Sequence, residues 1–359
     1  MTLILSNEEV ADLLEINEVI NELEEVYRDL DSGKATTRRR SDSLIPVKYN
    51  EKEAIYGLKS MDGIAPTQGF SAVRLNSDII TWPVIEGNLR RVKVPAAPDK
   101  RWVGLIILFS TDNGEPLAIM PDGVIQRMRV GATNGLGIKY MARKDAKTVG
   151  ILGSGWQAAT QLLAACAVRR IEMIKCFSPN PKNRVNFTQE MTEILGVEMM
   201  VANSAKEAVS GVDIVLCATN SIEKVYVENW LRPGIHLSSI KMPEIEEKAL
   251  KKCHRVALHF GQKRPDTVIA KGLVPPDRRI GKGWEANRTF DYDSCPLLPQ
   301  MISGKIKGRE SDDEITCFIN DMGIGLQFAV AAGLAYKKAK KSGVGKTLPT
   351  NWFTENVHP

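Results

Sequence analysis

The sequence predicts an α/β chain: a doubly wound parallel sheet at its centre, preceded by an α+β region that the C-terminal end completes. Three observations carry this. From Thr148 to Phe260, short apolar runs alternate with helical stretches. From Ile45 to Met120, apolar runs are separated only by turn residues. A glycine turn, Gly153-Ser154-Gly155-Trp156-Gln157-Ala158, joins the first alternating run to a helix. Strand–helix alternation builds parallel sheets, because a parallel crossover needs a dozen or so residues, whereas runs joined by tight turns pair antiparallel.

Ser6, followed by Glu9 and by Val10, Leu13 and Leu14, is a capping box opening an amphipathic helix. A second helix is predicted from Ile16 to Leu30, stopping near Gly33. The runs Ala54–Leu58, Phe70–Leu75, Ile79–Trp82 and Val103–Phe109 read as strands of a largely antiparallel sheet. Asp112-Asn113-Gly114 then predicts a hairpin into Pro116–Met120. A helix of small residues, Gln126 to Arg143, leads into the alternating region. There the strands are Thr148–Leu152, Met173–Phe177, Val197–Val201, Ile214–Ala218, His236–Ile240 and Val256–Phe260, with helices Trp156–Val168 and Asn183–Leu195. A last helix runs from beyond Gly323 to about Lys341.

The 359 residues suit two domains, and 43% apolar with 25% charged residues is an ordinary globular balance. A net charge of +5 is too dilute for a nucleic-acid stripe and fits a small anionic ligand. The six cysteines lack a CxxC pair and read as free thiols of a reducing compartment. His236, His254, His259 and His358 lack metal-ligand spacing, so no metal is expected. The N-terminus lacks a signal-peptide pattern and no apolar run is long enough for a bilayer, so a cytoplasmic chain without a membrane partner is expected.

Strand, then GxGxxA, then helix is the pattern of a dinucleotide site. Gly153 and Gly155 let backbone N–H groups approach a pyrophosphate, and the helix N-terminus attracts its charge. Ser154, Trp156 and Gln157 are candidate contacts in the same turn. At the end of the second strand, NAD sites usually place an acid for the ribose hydroxyls. No acid occurs between Met173 and Gln189. Ser178, Asn180, Lys182 and Arg184 stand there instead, which favours NADP with NAD as the alternative; Lys182 and Arg184 read equally as solvated residues of a helix start. Ala218, Thr219 and Asn220 end a strand where an open sheet lines its ligand crevice, and are expected beside the nicotinamide ribose. Thr133, Ser239 and Lys241 complete the candidate cofactor contacts.

The succession Gly114-Glu115-Pro116-Leu117-Ala118-Ile119-Met120, Arg127-Met128-Arg129-Val130-Gly131-Ala132-Thr133, the glycine turn with Gln157, and Ala218-Thr219-Asn220 resembles the ornithine cyclodeaminase/mu-crystallin family from about Gly33 to Gly345. The resemblance implies a dimerising, substrate-binding domain of residues 1–128 with 322–359, a Rossmann domain of 129–321, and a homodimer. Arg129 matches the family arginine that holds the substrate carboxylate, a role suited to a permanently charged fork; a surface ion pair is the plainer alternative. Arg40, with Arg39 of the same triple run as the alternative, resembles a second carboxylate-binding arginine, and Met322 is a further candidate substrate contact. Counting from Met61, the family's essential lysine falls at Arg74. Arginine is a poor proton donor, so Lys59 is expected to carry the acid/base role with Arg74 as an electrostatic anchor, unless Lys59 merely pairs with a carboxylate. Where the family has an aspartate for the substrate amine, this chain reads Ile240-Lys241-Met242-Pro243, and a lysine repels a distal ammonium. The implied activity is hydride transfer between NAD(P)H and an α-imino or α-amino acid or a cyclic imine, with a cyclising ammonia-lyase and a ligand-storage protein as alternatives.

Overall fold

Two sheets meet on one buried helix. The computed structural model describes residues 1–85, 88, 89, 91–221, 223–241, 244–261, 266–270 and 289–357. His358, Met242 and Pro243 lie outside the described residues.

The N-terminal strand β1 (Thr2–Ile4) precedes helices α1 (Asn7–Leu13) and α2 (Ile16–Asp31). The Ser6–Glu9 capping box is formed, and α2 buries Val19, Ile20, Leu23, Val26 and Tyr27 along one stripe. Such a stripe stabilises by about 1.5–3 kcal/mol for each large side chain fully removed from water. Then come β2 (Thr36–Thr37), β3 (Ser41–Tyr49), β4 (Lys52–Ala65) and β5 (Phe70–Thr81). After them come a small ribbon of β6 (Val84–Ile85) and β7 (Asn88–Leu89), then β8 (Val92–Lys93), β9 (Val103–Ser110) and β10 (Pro116–Pro121). The β9–β10 hairpin turns at Gly114, whose φ is +78°. Helix α3 (Gly123–Met141) leads to the second sheet, of β11 (Thr148–Leu152), β12 (Met173–Phe177), β13 (Glu198–Val201), β14 (Ile214–Cys217), β15 (His236–Ser239), β16 (Arg255–Leu258) and β18 (Thr316–Ile319). Its order is β13-β12-β11-β14-β15-β18-β16, with every described pairing parallel. Helices α4 (Trp156–Val168) and α5 (Pro181–Leu195) follow β11 and β12.

The first sheet has the order β17-β3-β4-β5-β9-β10-β1-β19, with β17 (Asp266–Ile269) at one edge and β19 (Lys346–Leu348) at the other. Both chain ends therefore contribute to it, and the 266–269 segment returns to it from within the stretch read as the parallel domain. The helix Gly325–Ser342 packs on its inner face against α2 and α3.

Two expectations are corrected here. Phe70–Leu75 and Ile79–Trp82 are one continuous strand, because Asn76 and Asp78 keep the period-two alternation while facing inward as polar residues. Strands β3 and β18 were not legible: Pro46 interrupts the first, and the second is a four-residue apolar run without alternation.

Helix α3 is buried on nearly all sides. Its glycines permit this: a Cβ at Gly131 would meet the Thr160 carbonyl at 2.6 Å, and one at Gly137 would meet the Phe318 ring at 2.2 Å. The helix thus lies between α4 and the Gly325–Ser342 helix, and carries Arg127, Arg129 and Thr133 from one sheet to the other. Among the described residues, no helix is long and apolar enough to cross a membrane, and no cluster of three His, Cys, Asp or Glu could hold a metal.

Candidate active site between the two sheets

At the end of β11 the chain turns through Gly153 at φ +123°, where a Cβ would lie 2.2 Å from the Ala218 carbonyl. Any other residue here would push β14 away. Gly155 is the N-cap of α4, and a Cβ there would meet nothing within 4 Å. The space in front of the helix N-terminus is therefore open. Gln157 Oε1 is buried there without a hydrogen-bond partner, and Ser154 is half-buried. Unpaired α4 amides, an open approach and an unpartnered amide oxygen fit a pyrophosphate with its nucleoside. Trp156 is 68% exposed and lies under the Arg127 guanidinium, 5.2 Å from its ring centre.

Beyond β12, Asn180 is occupied as the N-cap of α5, accepting from Asn183 N at 2.9 Å. Arg184 folds back over the Phe177 ring and donates to the Ser178 carbonyl at 3.2 Å. That places a cation at the C-terminal end of β12, with Lys182 exposed beside it.

The ends of β14 and β15 converge on Glu244, a residue the sequence reading missed. Its Oε1 accepts from Thr219 N (2.6 Å) and Oγ1 (2.7 Å), and its Oε2 from Ser239 Oγ (2.9 Å). Burial raises the Glu244 pKa above the usual carboxylate range against these bonds. Ser239 and Thr219 thus hold the strand ends together through Glu244, and their hydroxyls face inward. Ala218 is buried on Gly153, whereas Asn220 is exposed. Lys241, mostly buried, donates to the Ser221 carbonyl; burial lowers its pKa, opposed by Glu244 and Asp321.

A polar row runs across the inner face of the first sheet. The register sets Asp42 beside Lys59 and Lys59 beside Asn76, with Met61 facing Arg74. Lys59 and Arg74 are therefore diagonal neighbours, within reach of long side chains. The Lys59 ammonium, however, turns over Gly57 to pair with Asp78, away from Arg74. Asp78 also takes Lys93 at 2.8 Å. Burial raises Asp78, but its hydrogen bonds from Lys59 and Lys93 outweigh this and hold it low; burial pushes the Lys59 pKa down, against the pull of Asp78. Arg74 donates through Nε to Asp122 Oδ2 at 2.7 Å. Gly104 makes this reach possible, since a Cβ there would sit 2.0 Å from Asp122 Oδ1. Of the arginine triplet, Arg38 and Arg39 are exposed, while Arg40 turns in to a two-pronged pair with Asp42 at 2.8 and 2.7 Å.

Arg129 sits above this row and is 4% exposed. Its ring-facing side lies 4.9 Å from the centre of Phe328, which also carries Arg74 at 5.4 Å. Its donors meet amide oxygens rather than a carboxylate: Oε1 of Gln327 at 2.8 Å and Oε1 of Gln126 at 2.8 Å. Arg129 Nε is buried without a partner. Burial, then the neighbouring charge of Arg74, draws its pKa down to about 9. A surface ion pair is excluded. Arg129 is a desolvated cation whose hydrogen bonds go to neutral amides and whose Nε is left over.

Thr133 is fully buried, and its hydroxyl accepts from Gln327 Nε2 at 2.7 Å. Met322 has φ +53°, an uncommon left-handed conformation for such a side chain, and its carbonyl meets His259 Nε2 at 2.9 Å. Sequence reasoning missed Asp78, Asp122, Tyr27, His259 and Gln327. Each leaves one kind of signal, a polar group inside an apolar pattern: Asp78 on the inward side of β5, Tyr27 on the buried stripe of α2, Gln327 between Leu326 and Phe328.

An open α/β sheet with a dinucleotide turn, joined by one helix to a buried arginine that meets no carboxylate directly, defines a class: nicotinamide-binding proteins that also seat a small carboxylate. The chain belongs to the ornithine cyclodeaminase/mu-crystallin family, whose model matches residues 91–343. A Δ1-pyrroline-2-carboxylate reductase of Bacillus cereus is 31% identical over 250 residues, 68% of this chain and 74% of that one. An alanine dehydrogenase of Archaeoglobus fulgidus is 29% identical over 362 residues, covering 97% and 98%. The structure of Thermococcus litoralis Δ1-pyrroline-2-carboxylate reductase in complex with NADH and L-proline matches with a TM-score of 0.76 and 29% identity, covering 97% of this chain and 100% of that one.

Proposed function

We propose that this protein reduces a cyclic α-imino acid, a five-membered ring imine carboxylate in the first place, with a nicotinamide dinucleotide. It is an NAD(P)-dependent enzyme of the imine reductase and amino-acid dehydrogenase type. The observation that carries the substrate class is Arg129, a buried guanidinium that meets no carboxylate of its own, beside Arg74.

When bound, the nicotinamide supplies the hydride. The chain's residues do the rest. Arg129 takes the carboxylate in a two-pronged grip, and Arg74, anchored by Asp122, adds a second positive charge. This fixes the ring and its C=N carbon relative to the ends of β11 and β14. Lys59 supplies the proton for the ring nitrogen after swinging from Asp78, and burial already favours its release of that proton. Lys241 at the end of β15 disfavours a distal ammonium, which sets the cyclodeaminase reading behind reduction. Arg184 and Lys182 favour NADP over NAD through a 2′-phosphate.

We also assign residues 1–128 with 322–359 to substrate binding and dimerisation, and 129–321 to the dinucleotide. The outer face of the first sheet supports a homodimer: Ile45, Leu58, Ile64, Val103 and Leu105 are exposed on it. Six unbridged cysteines fit a reducing compartment, the cytoplasm. The test follows nicotinamide absorbance with NADH and NADPH against Δ1-pyrroline-2-carboxylate, and against pyruvate with ammonia. Stoichiometric cofactor oxidation is expected. Ammonia release from ornithine without net cofactor change would overturn the proposal.

A further inference from the structure

A buried network links the arginine to the loop that follows β18. Gln327 has all four hydrogen-bonding positions of its amide in use. Oε1 accepts from Arg129 Nη1 (2.8 Å) and from Ile324 N (3.1 Å); Nε2 donates to Tyr27 Oη (2.8 Å) and Thr133 Oγ1 (2.7 Å). Arginine can only donate, so the oxygen must face Arg129 and the nitrogen must face the hydroxyls. Tyr27 Oη lies 3.3 Å from His259 Nδ1. His259 Nε2 meets the carbonyls of Asp321 (2.7 Å) and Met322 (2.9 Å), which accept; Nε2 therefore carries the ring hydrogen and Nδ1 accepts from Tyr27. Tyr27, His259 and Gln327 are at most 1% exposed. The hydrogen bonds end on Met322, whose backbone is held left-handed; beside it, a Cβ at Gly323 would lie 1.9 Å from Arg129 Nη1. One network thus fixes both the guanidinium and the loop that packs on it.

We propose that Gln327 is a positioning residue for the carboxylate-binding arginine: a neutral amide that aims Arg129 without compensating its charge, and that Tyr27 and His259 extend this hold to the Asp321–Met322 peptide. The inference rests on the reading of Arg129 as the substrate-carboxylate residue. Neutrality is its chemical core. A glutamate has nearly the same shape, but it would pair with Arg129 and compete with the substrate for the same charge. It would also have no N–H for Tyr27 and Thr133.

The test measures binding of pyrrole-2-carboxylate, a planar ring carboxylate, to the NADH-loaded protein by calorimetry, with NADH affinity followed by nicotinamide fluorescence. Gln327→Glu is expected to weaken the carboxylate about 30-fold or more near pH 8 and to leave NADH unchanged. Near pH 6 the loss persists, because pairing with Arg129 keeps the introduced carboxyl ionised. The other titratable groups facing it do not interfere: burial pushes Tyr27 up to about 12 and His259 down to about 4, and Arg129 stays charged below about 9. Tyr27→Phe keeps Gln327 but cuts the link to His259, and should weaken the carboxylate several-fold at either pH with NADH again unchanged. If Gln327→Glu does not fold, Tyr27→Phe decides alone. Wild-type carboxylate affinity in either folded variant overturns the inference, as does an equal loss for carboxylate and NADH. Arg129→Lys in the same assay separates the two levels. If it binds as tightly as wild type, or if wild type binds no pyrrole-2-carboxylate, the functional reading fails and the inference with it; if Arg129→Lys is weak while Gln327→Glu is normal, the inference alone fails.

Discussion

Replacing Arg129 by lysine keeps a cation in name, but the surroundings decide whether it stays charged. Burial and Arg74 lower the Arg129 pKa from 12.5 to about 9. An unperturbed lysine starts roughly two units below arginine, and the same displacement leaves it near neutrality, at about 7. The lysine also loses the fork, and with it the two bonds to Gln126 and Gln327 at 2.8 Å. Two losses with different pH behaviour are therefore superposed. The missing fork costs about 2 kcal/mol at every pH, roughly 30-fold in kcat/KM. The missing charge adds a further tenfold or so for each pH unit above the new pKa. The sign follows from which form binds: the carboxylate needs the cation, so binding is retained below the lysine's pKa and lost as pH rises through it. Wild-type kcat/KM divided by that of Arg129→Lys should thus be about 30 near pH 6 and several hundred near pH 8. The assay is initial-rate kinetics with Δ1-pyrroline-2-carboxylate at saturating NADH. A ratio independent of pH would refute the desolvation argument, and a ratio near one would refute the carboxylate grip.

Gly155→Val should fold normally, since a Cβ there meets nothing within 4 Å, yet weaken NADH at least tenfold by calorimetry, about 1.4 kcal/mol; unchanged affinity removes the pyrophosphate from that turn. Lys182→Ala with Arg184→Ala should weaken NADPH while sparing NADH, and equal losses would show that neither residue reads the 2′ position. Asp78→Asn removes the carboxylate that opposes the burial of Lys59, so the Lys59 pKa falls further and the alkaline limb of the reductive kcat/KM profile moves to lower pH; an unmoved limb assigns the proton to another group. Leu58→Glu with Leu105→Glu should convert a dimer to monomer in light scattering, and an unaltered mass would place the interface elsewhere.

The central sheet, β18 apart, was legible because its signals are local. Thr148–Leu152, Trp156–Val168 and Met173–Phe177 begin and end where the apolar runs and the glycine turn put them. A strand buried on both faces must be apolar throughout, and a turn at φ +123° must be glycine, so each leaves its mark in consecutive residues. Arg129 was singled out by its match to a family arginine, and the structure adds that it is buried. What lay beyond the sequence was the pairing of distant side chains. Nothing near Thr133 says that its hydroxyl is taken by Gln327, 194 residues away, or that Tyr27 reaches His259 across 232. Nor do Thr219 and Ser239 announce that one buried carboxyl, Glu244, joins them. Backbone patterning is set by residues within a turn or two, and composition records it. A buried polar group is satisfied by whatever the folded chain brings within about 3 Å, and only the packing of α2, α3 and the Gly325–Ser342 helix decides which group that is.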